Sequence, residues 1–226
     1  LEFLDRKFRQ ETTFLKHLYA SDNLLDLYDN DAVNILTQAK LSFNHYETLD
    51  LSHNTLMDTE FVKLLRIVWP LENVKEFTGK PVNKPTCVMR NLLLDSTEFG
   101  PLSMIHLSEL MMHDFMPSLQ SMHLGNNAIN VTAVQALLTP LAEKKLTTLE
   151  RLYMPLNTIY ADGLMLMTAS QTLGVFDNLL ELDIAECGCS NDAIALFVKQ
   201  VVERFLLGKL KLRRLKLFGI QPFPGK

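Results

Sequence analysis

The sequence predicts an α/β solenoid, a horseshoe arc with short parallel strands on its concave side and helices on its convex side. Three observations predict it. Leu119-x-x-Met122-x-Leu124-x-x-Asn127-x-Ile129 is followed thirty residues later by Leu149-x-x-Leu152-x-Met154-x-x-Asn157-x-Ile159, so two eleven-residue segments match at every marked position. The same frame recurs on both sides of this pair. Apolar residues at helical spacing fill the intervals between frames. Within a frame, positions 4 and 6 alternate like a short strand with one buried face, and an Asn follows at position 9, where the chain must turn.

Composition bounds what such an array can be. A chain of 226 residues suits one or two domains by size, and the repeats favour a single elongated one. Hydrophobic residues make up 47% of the chain, ample for a core. The net charge of −4 is too small to demand nucleic acid or an anionic membrane as partner. No apolar run reaches the roughly 18 residues of a membrane-spanning helix, and no signal-peptide pattern is visible. Three cysteines are too few for a disulfide framework and fit a reducing compartment, so a cytoplasmic location is expected. Asn130-Val131-Thr132 has the glycosylation pattern, which is short enough to arise by chance.

Residues 1–45 match the frame poorly. Phe3, Phe8, Phe14, Leu15 and Leu18 lie at helical spacing and predict an amphipathic helix ending near Ser21, a cap for the open end of the first repeat. Leu25-x-Leu27-x-x-Asn30-x-Ala32, followed by a helix over 32–41, is either a degenerate repeat or part of the same helical cap. The repeat domain proper is placed at 46–226. Tyr46-x-x-Leu49-x-Leu51-x-x-Asn54-x-Leu56 opens it, and Phe61, Leu64, Leu65 and Val68 predict the helix behind its strand, ended by Trp69-Pro70.

The step to the next frame is 43 residues, which places an inserted loop at 71–88. Its Gly79, Pro81, Pro85 and lysines have loop composition, and the loop is expected to be more mobile than its flanks. Met89-x-x-Leu92-x-Leu94-x-x-Thr97-x-Phe99 follows, with Thr in place of Asn, and Leu102, Ile105, Leu107, Leu110 and Met111 supply an apolar helix face. Behind the two best-matched frames, helices are predicted over 131–142 and 161–173. The next frame is Leu179-x-x-Leu182-x-Ile184-x-x-Cys187-x-Cys189. Its helix has Asp192 near the start, an apolar face of Ile194, Phe197, Val198, Val201, Val202 and Phe205, and Gly208 as C-cap. Leu212-x-x-Leu215-x-Leu217-x-x-Ile220 comes last.

This pattern resembles the leucine-rich repeat, L-x-x-L-x-L-x-x-N/C-x-L, over about Tyr46–Leu217. Steps near thirty residues with real helices resemble the ribonuclease-inhibitor-like class. The resemblance implies a stacked core that no unit could bury alone, with the Asn side chain satisfying backbone groups at the bend. It says little about function, which lives in the surface carried by the fold.

Strand positions 3, 5 and 7 are expected to face solvent. Their centre is apolar and aromatic at Leu93, His123 and Tyr153, with Leu156 a further candidate, flanked by Asn91, Ser121 and Arg151, with Asp50, Ser52, Asp95, Glu181 and Asp183 as a polar rim. Solenoids bind on concave faces, and Tyr and Arg are enriched at hot spots, so a partner contact is expected at Asn91, Leu93, Ser121, His123, Arg151, Tyr153 and Asp183.

Asp50, Ser52, His53, Asp95 and His123 share the early strands, but no nucleophile elbow, phosphate loop or metal spacing accompanies them. Cys187 and Cys189 fall at inward positions and are read as core cysteines, not zinc ligands. The basic run Lys209–Lys216 is read as a charged edge strand rather than a nucleic-acid patch. No cofactor or metal is expected. The sequence thus predicts a non-enzymatic, monomeric protein-interaction module, with neither nucleic acid nor membrane as partner. Fold resemblance also admits a GTPase regulator similar to the Ran GTPase-activating protein, or a tropomodulin-like cytoskeletal capping protein.

Overall fold

The computed structural model describes residues 16–23, 46–69 and 87–218. Strands and helices alternate along it. The strands are β1 (His17–Tyr19), β2 (Thr48–Asp50), β3 (Asn91–Leu93), β4 (Ser121–His123), β5 (Arg151–Tyr153), β6 (Glu181–Asp183) and β7 (Arg214–Lys216). The helices are α1 (Asp58–Val68), α2 (Pro101–Met112), α3 (Val131–Ala142), α4 (Tyr160–Thr172) and α5 (Asn191–Leu206). The strands form one seven-stranded sheet in chain order, and every pairing is parallel. Each helix packs on the next, so the helices form a second row beside the sheet.

The register follows the frame. Leu18, Leu49, Leu92, Met122, Leu152, Leu182 and Leu215 stand in one line across the sheet, all at position 4. From β2 to β6 these residues are buried, as are Leu51, Leu94, Leu124, Met154 and Ile184 at position 6. They meet Phe61, Leu64, Met104, Leu107, Val134, Leu164 and Phe197 of the helices in one continuous core. A unit alone would expose the faces it packs against its neighbours, which is why stacking stabilises it.

Position 9 ties four of the units to the one before. Asn54 Nδ2 donates to Ala20 O at 2.8 Å, Asn127 Nδ2 to Leu94 O at 2.6 Å, and Asn157 Nδ2 to Leu124 O at 2.8 Å. Asn157 Oδ1 accepts from Ile129 N at 2.9 Å. The Cys187 thiol takes the donor's place toward Met154 O at 3.1 Å. The chain turns there because position 8 enters the left-handed region in six units, at Asp22, His53, Ser96, Asn126, Leu156 and Glu186, with φ between 51° and 58°. Helix starts are fixed locally at Asn130, whose side chain accepts from Thr132 N and Ala133 N, and at Ser190, which accepts from Ala193 N. Gly208 follows α5 with φ +66°, the C-cap conformation expected of it.

Several expectations change. His17–Tyr19 is a strand, so the helix predicted to run to Ser21 does not extend through these residues. Leu18, Ala20 and Asn23 stand at positions 4, 6 and 9 of a first unit that their helical spacing conceals. Leu102 and Ile105 of α2, and Val202 and Phe205 of α5, point outward rather than into the core. The inner face of α2 is completed instead by Met104, Leu107, Leu110 and Met111. Position 3 or 7 is buried at Thr48, Ser52 and Ser121, so these positions do not all face solvent. The rest of the N-terminal cap, the frame at 25–32, the helix at 32–41, the bulk of the 71–88 loop with its expected mobility, and the last residues of the chain lie outside the described residues.

Candidate functional site

The sheet face turned away from the helices carries positions 3 and 5. Its register brings the seven expected residues onto four adjacent strands: Asn91, Ser121 and Arg151 in one row, and Leu93, His123, Tyr153 and Asp183 in the next. The rings of His123 and Tyr153 lie 4.5 Å apart between centroids and are tilted by 56°. They meet because parallel neighbours at the same position are one strand spacing apart. Leu93 stands in register with His123, which extends the apolar row to β3.

Hydrogen bonds hold this centre from both sides. Tyr153 Oη donates to Glu181 Oε2 at 2.9 Å, and the same oxygen pairs with Arg214 Nη1 at 3.0 Å. Burial, and then the hydrogen bond to Glu181, push the Tyr153 phenol above its ordinary pKa. On the other side, His123 Nε2 lies 3.1 Å from Ser121 Oγ, and Nδ1 lies 3.7 Å from Asp95 Oδ2. Asp95 Oδ1 accepts from Gly125 N at 2.6 Å, and Asp95 N donates to Ser52 Oγ at 3.2 Å. Asn91 Nδ2 donates to Thr48 Oγ1 at 3.1 Å. The side chains of this centre are thus held in place by their neighbours on the sheet.

Not all seven residues offer surface. Ser121 is 3% exposed and Asp183 6%. Asp183 Oδ1 accepts from Ala185 N at 3.1 Å, and Lys216 Nζ covers its other oxygen at 3.0 Å. Ser121 and Asp183 therefore support the face from below, while Asn91, Leu93, His123, Arg151 and Tyr153 remain half-exposed. Arg214, which lies over Glu181, was not among the expected contacts. Its signal was the register, since position 3 of one strand neighbours position 3 of the next.

Ser121, His123 and Asp95 have the connectivity of a nucleophile, base and orienter. Their geometry does not deliver it. The Ser121 hydroxyl is covered, and 3.7 Å from carboxylate to Nδ1 exceeds a hydrogen bond. Ser52 is buried and accepts a backbone bond, and Asp50 Oδ1 accepts from Ser52 N at 3.0 Å. The thiols are held protonated. Burial pushes Cys187 up to about 12 and Cys87 up to about 11, and raises Cys189 as well. Among the described residues no three His, Cys, Asp or Glu side chains are grouped to hold a metal ion. Nor is any helix there long and apolar enough to cross a membrane. In the basic run, Arg214 and Lys216 pair with Glu181 and Asp183 of the preceding strand, and Lys211 Nζ with Asn178 Oδ1.

The chain matches no protein-family model, and no curated protein is significantly similar to it.

Proposed function

We propose that the chain is a leucine-rich repeat horseshoe of the ribonuclease-inhibitor-like class. In this reading it is a non-enzymatic, monomeric, cytoplasmic module that binds a protein on its concave face. One observation carries the functional reading: the His123–Tyr153 ring pair stands beside Leu93 on the sheet face away from the helices, ringed by Asn91, Arg151, Glu181 and Arg214. An aromatic centre held rigid inside a polar rim is the usual anatomy of a specific protein contact. Neighbouring strands spaced about 4.8 Å apart give the Leu93–His123–Tyr153 row a width of roughly 10 Å, which suits the core of an interface burying about 800 Å² per partner.

The test compares two neighbouring variants in affinity isolation and in calorimetry with the recovered partner. Tyr153→Ala should weaken binding by at least about 1–2 kcal/mol with a small change in melting temperature. Met154→Ala, one residue along and buried, should lower stability by roughly 2–5 kcal/mol while leaving the binding face itself intact. Recovery of the same partner by Tyr153→Ala at unchanged affinity would count against this face.

A further inference from the structure

A second surface lies on the far side of the helix row, away from the sheet. Between α1 and α2 runs an open groove of about 450 Å³. Val62, Lys63 and Arg66 form one wall, and Leu102, Ile105 and Glu109 the other. The outer face of a helix in such an array is ordinarily polar. Here Leu102 is 51% exposed and Ile105 42%.

The chain supplies its own control. Thirty residues along, the equivalent pair in α3 is Thr132 and Gln135. In α4 it is Asp162 and Met165, and in α5 Asp192 and Ala195. Of these four helices α2 alone carries two large aliphatics there. The core does not require them, because the inner face of α2 is already filled. Their spacing of three residues sets them side by side as one ridge. Lys63 and Arg66 are both exposed, and neither has a carboxylate partner among the described residues.

We propose that this groove is a second docking site, which takes an acidic amphipathic helix of a partner protein. The partner's apolar stripe lies on Leu102, Ile105 and Val62, and its carboxylates meet Lys63 and Arg66. A helix in a groove is read through anchors at i, i+3, i+4 and i+7, and Leu102 and Ile105 on one wall with Val62 on the other offer apolar contact to the central anchors. With Glu109 on the opposite wall the three charged groups leave an excess of one positive charge, and that excess selects and steers an acidic partner. A flat anionic bilayer would touch the crests of both helices but would not reach Val62, which is half-buried in the α1 wall. The site stands apart from the concave sheet face, so neither contact depends on the other.

The probe is a labelled peptide of about four turns with Leu at the anchor positions and Glu beside them, together with a twin carrying Lys for Glu. Titration of each into the intact chain is followed by fluorescence anisotropy and by methyl NMR. The Glu peptide should bind at least about tenfold more tightly than the Lys twin and should move the methyl signals of Val62, Leu102 and Ile105. Lys63→Glu combined with Arg66→Glu should reverse the preference. Leu102→Ser combined with Ile105→Ser should abolish it, at an unchanged melting temperature, because these side chains are exposed. Several results would overturn the proposal: equal binding of both peptides, methyl shifts confined to other surfaces, or binding only to vesicles of equal parts phosphatidylcholine and phosphatidylserine. So would failure of both peptides together with contacts from residues 70–86 to the Leu102 and Ile105 methyls, since the groove would then be filled by the chain itself.

Discussion

The junction between the units that begin at Leu119 and Leu149 is regular, while the one between the units that begin at Tyr46 and Met89 is not. At the regular junction Asn157 does the tying. Its amide reaches Leu124 O of the preceding unit and Met154 O of its own at 2.8 and 3.0 Å, and its carbonyl accepts from Ile129 N. The helix of the preceding unit, α3, is capped by its own Asn130. At the irregular junction the Asn tie is missing, while the following unit's helix lacks a side-chain cap of its own at both junctions. Thr97 replaces the Asn, and its shorter hydroxyl donates within its own unit, to Leu94 O at 2.9 Å. Gly100 stands where α3 has Asn130, so α2 begins without a side-chain cap of its own.

Asp58 supplies the tie here and caps α2 as well. Sitting at the start of α1, it accepts from Gly100 N, Leu102 N and Ser103 N of α2 at 3.0, 2.8 and 2.9 Å, while Ser103 Oγ donates to Asp58 O. One carboxylate thus caps the next unit's helix and binds the two units together, at the helix end where negative charge is favoured. Gly100 is required for this approach, since a Cβ there would lie 2.7 Å from the carboxylate. The Phe61–Phe99 edge contact at 5.1 Å closes the same junction. The cohesion of the array therefore does not depend on one residue type. It depends on some polar side chain satisfying the backbone of a neighbour.

The largest expected effect separates the two ladders. Asn157→Ala leaves Leu124 O and Ile129 N without their partner in the core, and it should destabilise by about 3 kcal/mol. Thr97→Ala should cost no more than about 1 kcal/mol, because it removes a local bond. Denaturant unfolding measures both, and equal destabilisation would mean that the Asn ladder is not what ties the regular junction.

The frame made most of this legible beforehand. From β2 to β6 positions 4 and 6 are buried as read, α3 spans the predicted 131–142, and Cys187 fills the Asn position inside the core. β1 was missed for a physical reason. Phe14, Leu15 and Leu18 have the i, i+3, i+4 spacing of a helix face, while positions 1 and 4 of the repeat are also three apart, so Leu15-x-x-Leu18-x-Ala20-x-x-Asn23 satisfies both readings. In the candidate site, the rows followed from register alone. The covering of Ser121 and Asp183 did not, because it depends on which neighbouring side chain lies over them, as Lys216 does over Asp183. The Asp58 cap was unreadable for the same reason: its partners are 42 to 45 residues away across the inserted loop.

The second comparison is between the cross-unit cap and the local one. Asp58→Ala should destabilise by about 2 kcal/mol, at the upper end for a cap because three donors lose a charged acceptor. Asn130→Ala should cost about 1 kcal/mol. Gly100→Ala should resemble Asp58→Ala, since it drives the carboxylate away. If it is instead neutral, the cap is not held as described. Within the candidate site, Glu181→Gln removes a charge that raises the Tyr153 phenol. Its pKa should then fall toward the ordinary value while staying above it, because burial, the larger cause, remains. The sign for stability follows. A phenol raised in the folded state contributes stability below its ordinary pKa of about 10 and loses it as pH climbs through the folded value. NMR titration of the Tyr153 ring carbons reads this directly, and an unchanged value in the variant would place the cause in burial alone.

The smallest expected effect lies at the turn that both kinds of junction share. Position 8 adopts left-handed backbone in each described unit up to β6, and its occupants differ in how well they tolerate it. Asn126 is among the residues enriched there, whereas Leu156, with φ 58°, is a bulky side chain that rarely adopts it. Holding an ordinary residue in this region costs roughly 1–2 kcal/mol, and Asn escapes part of that. Leu156 is 50% exposed, so its side chain contributes little to the core in return. Leu156→Asn should therefore stabilise the fold by about 1 kcal/mol, a shift in melting temperature of about 2–4 °C for a chain of this size. Asn126→Leu should destabilise by a similar amount and also remove the bond from its Nδ2 to Ser96 Oγ at 2.9 Å. If Leu156→Asn weakens partner binding while raising stability, Leu156 belongs to the contact and its strain is retained for function. If both variants leave stability untouched, the left-handed turn is set by the position 9 ladder alone and the identity of the residue at position 8 is irrelevant to it.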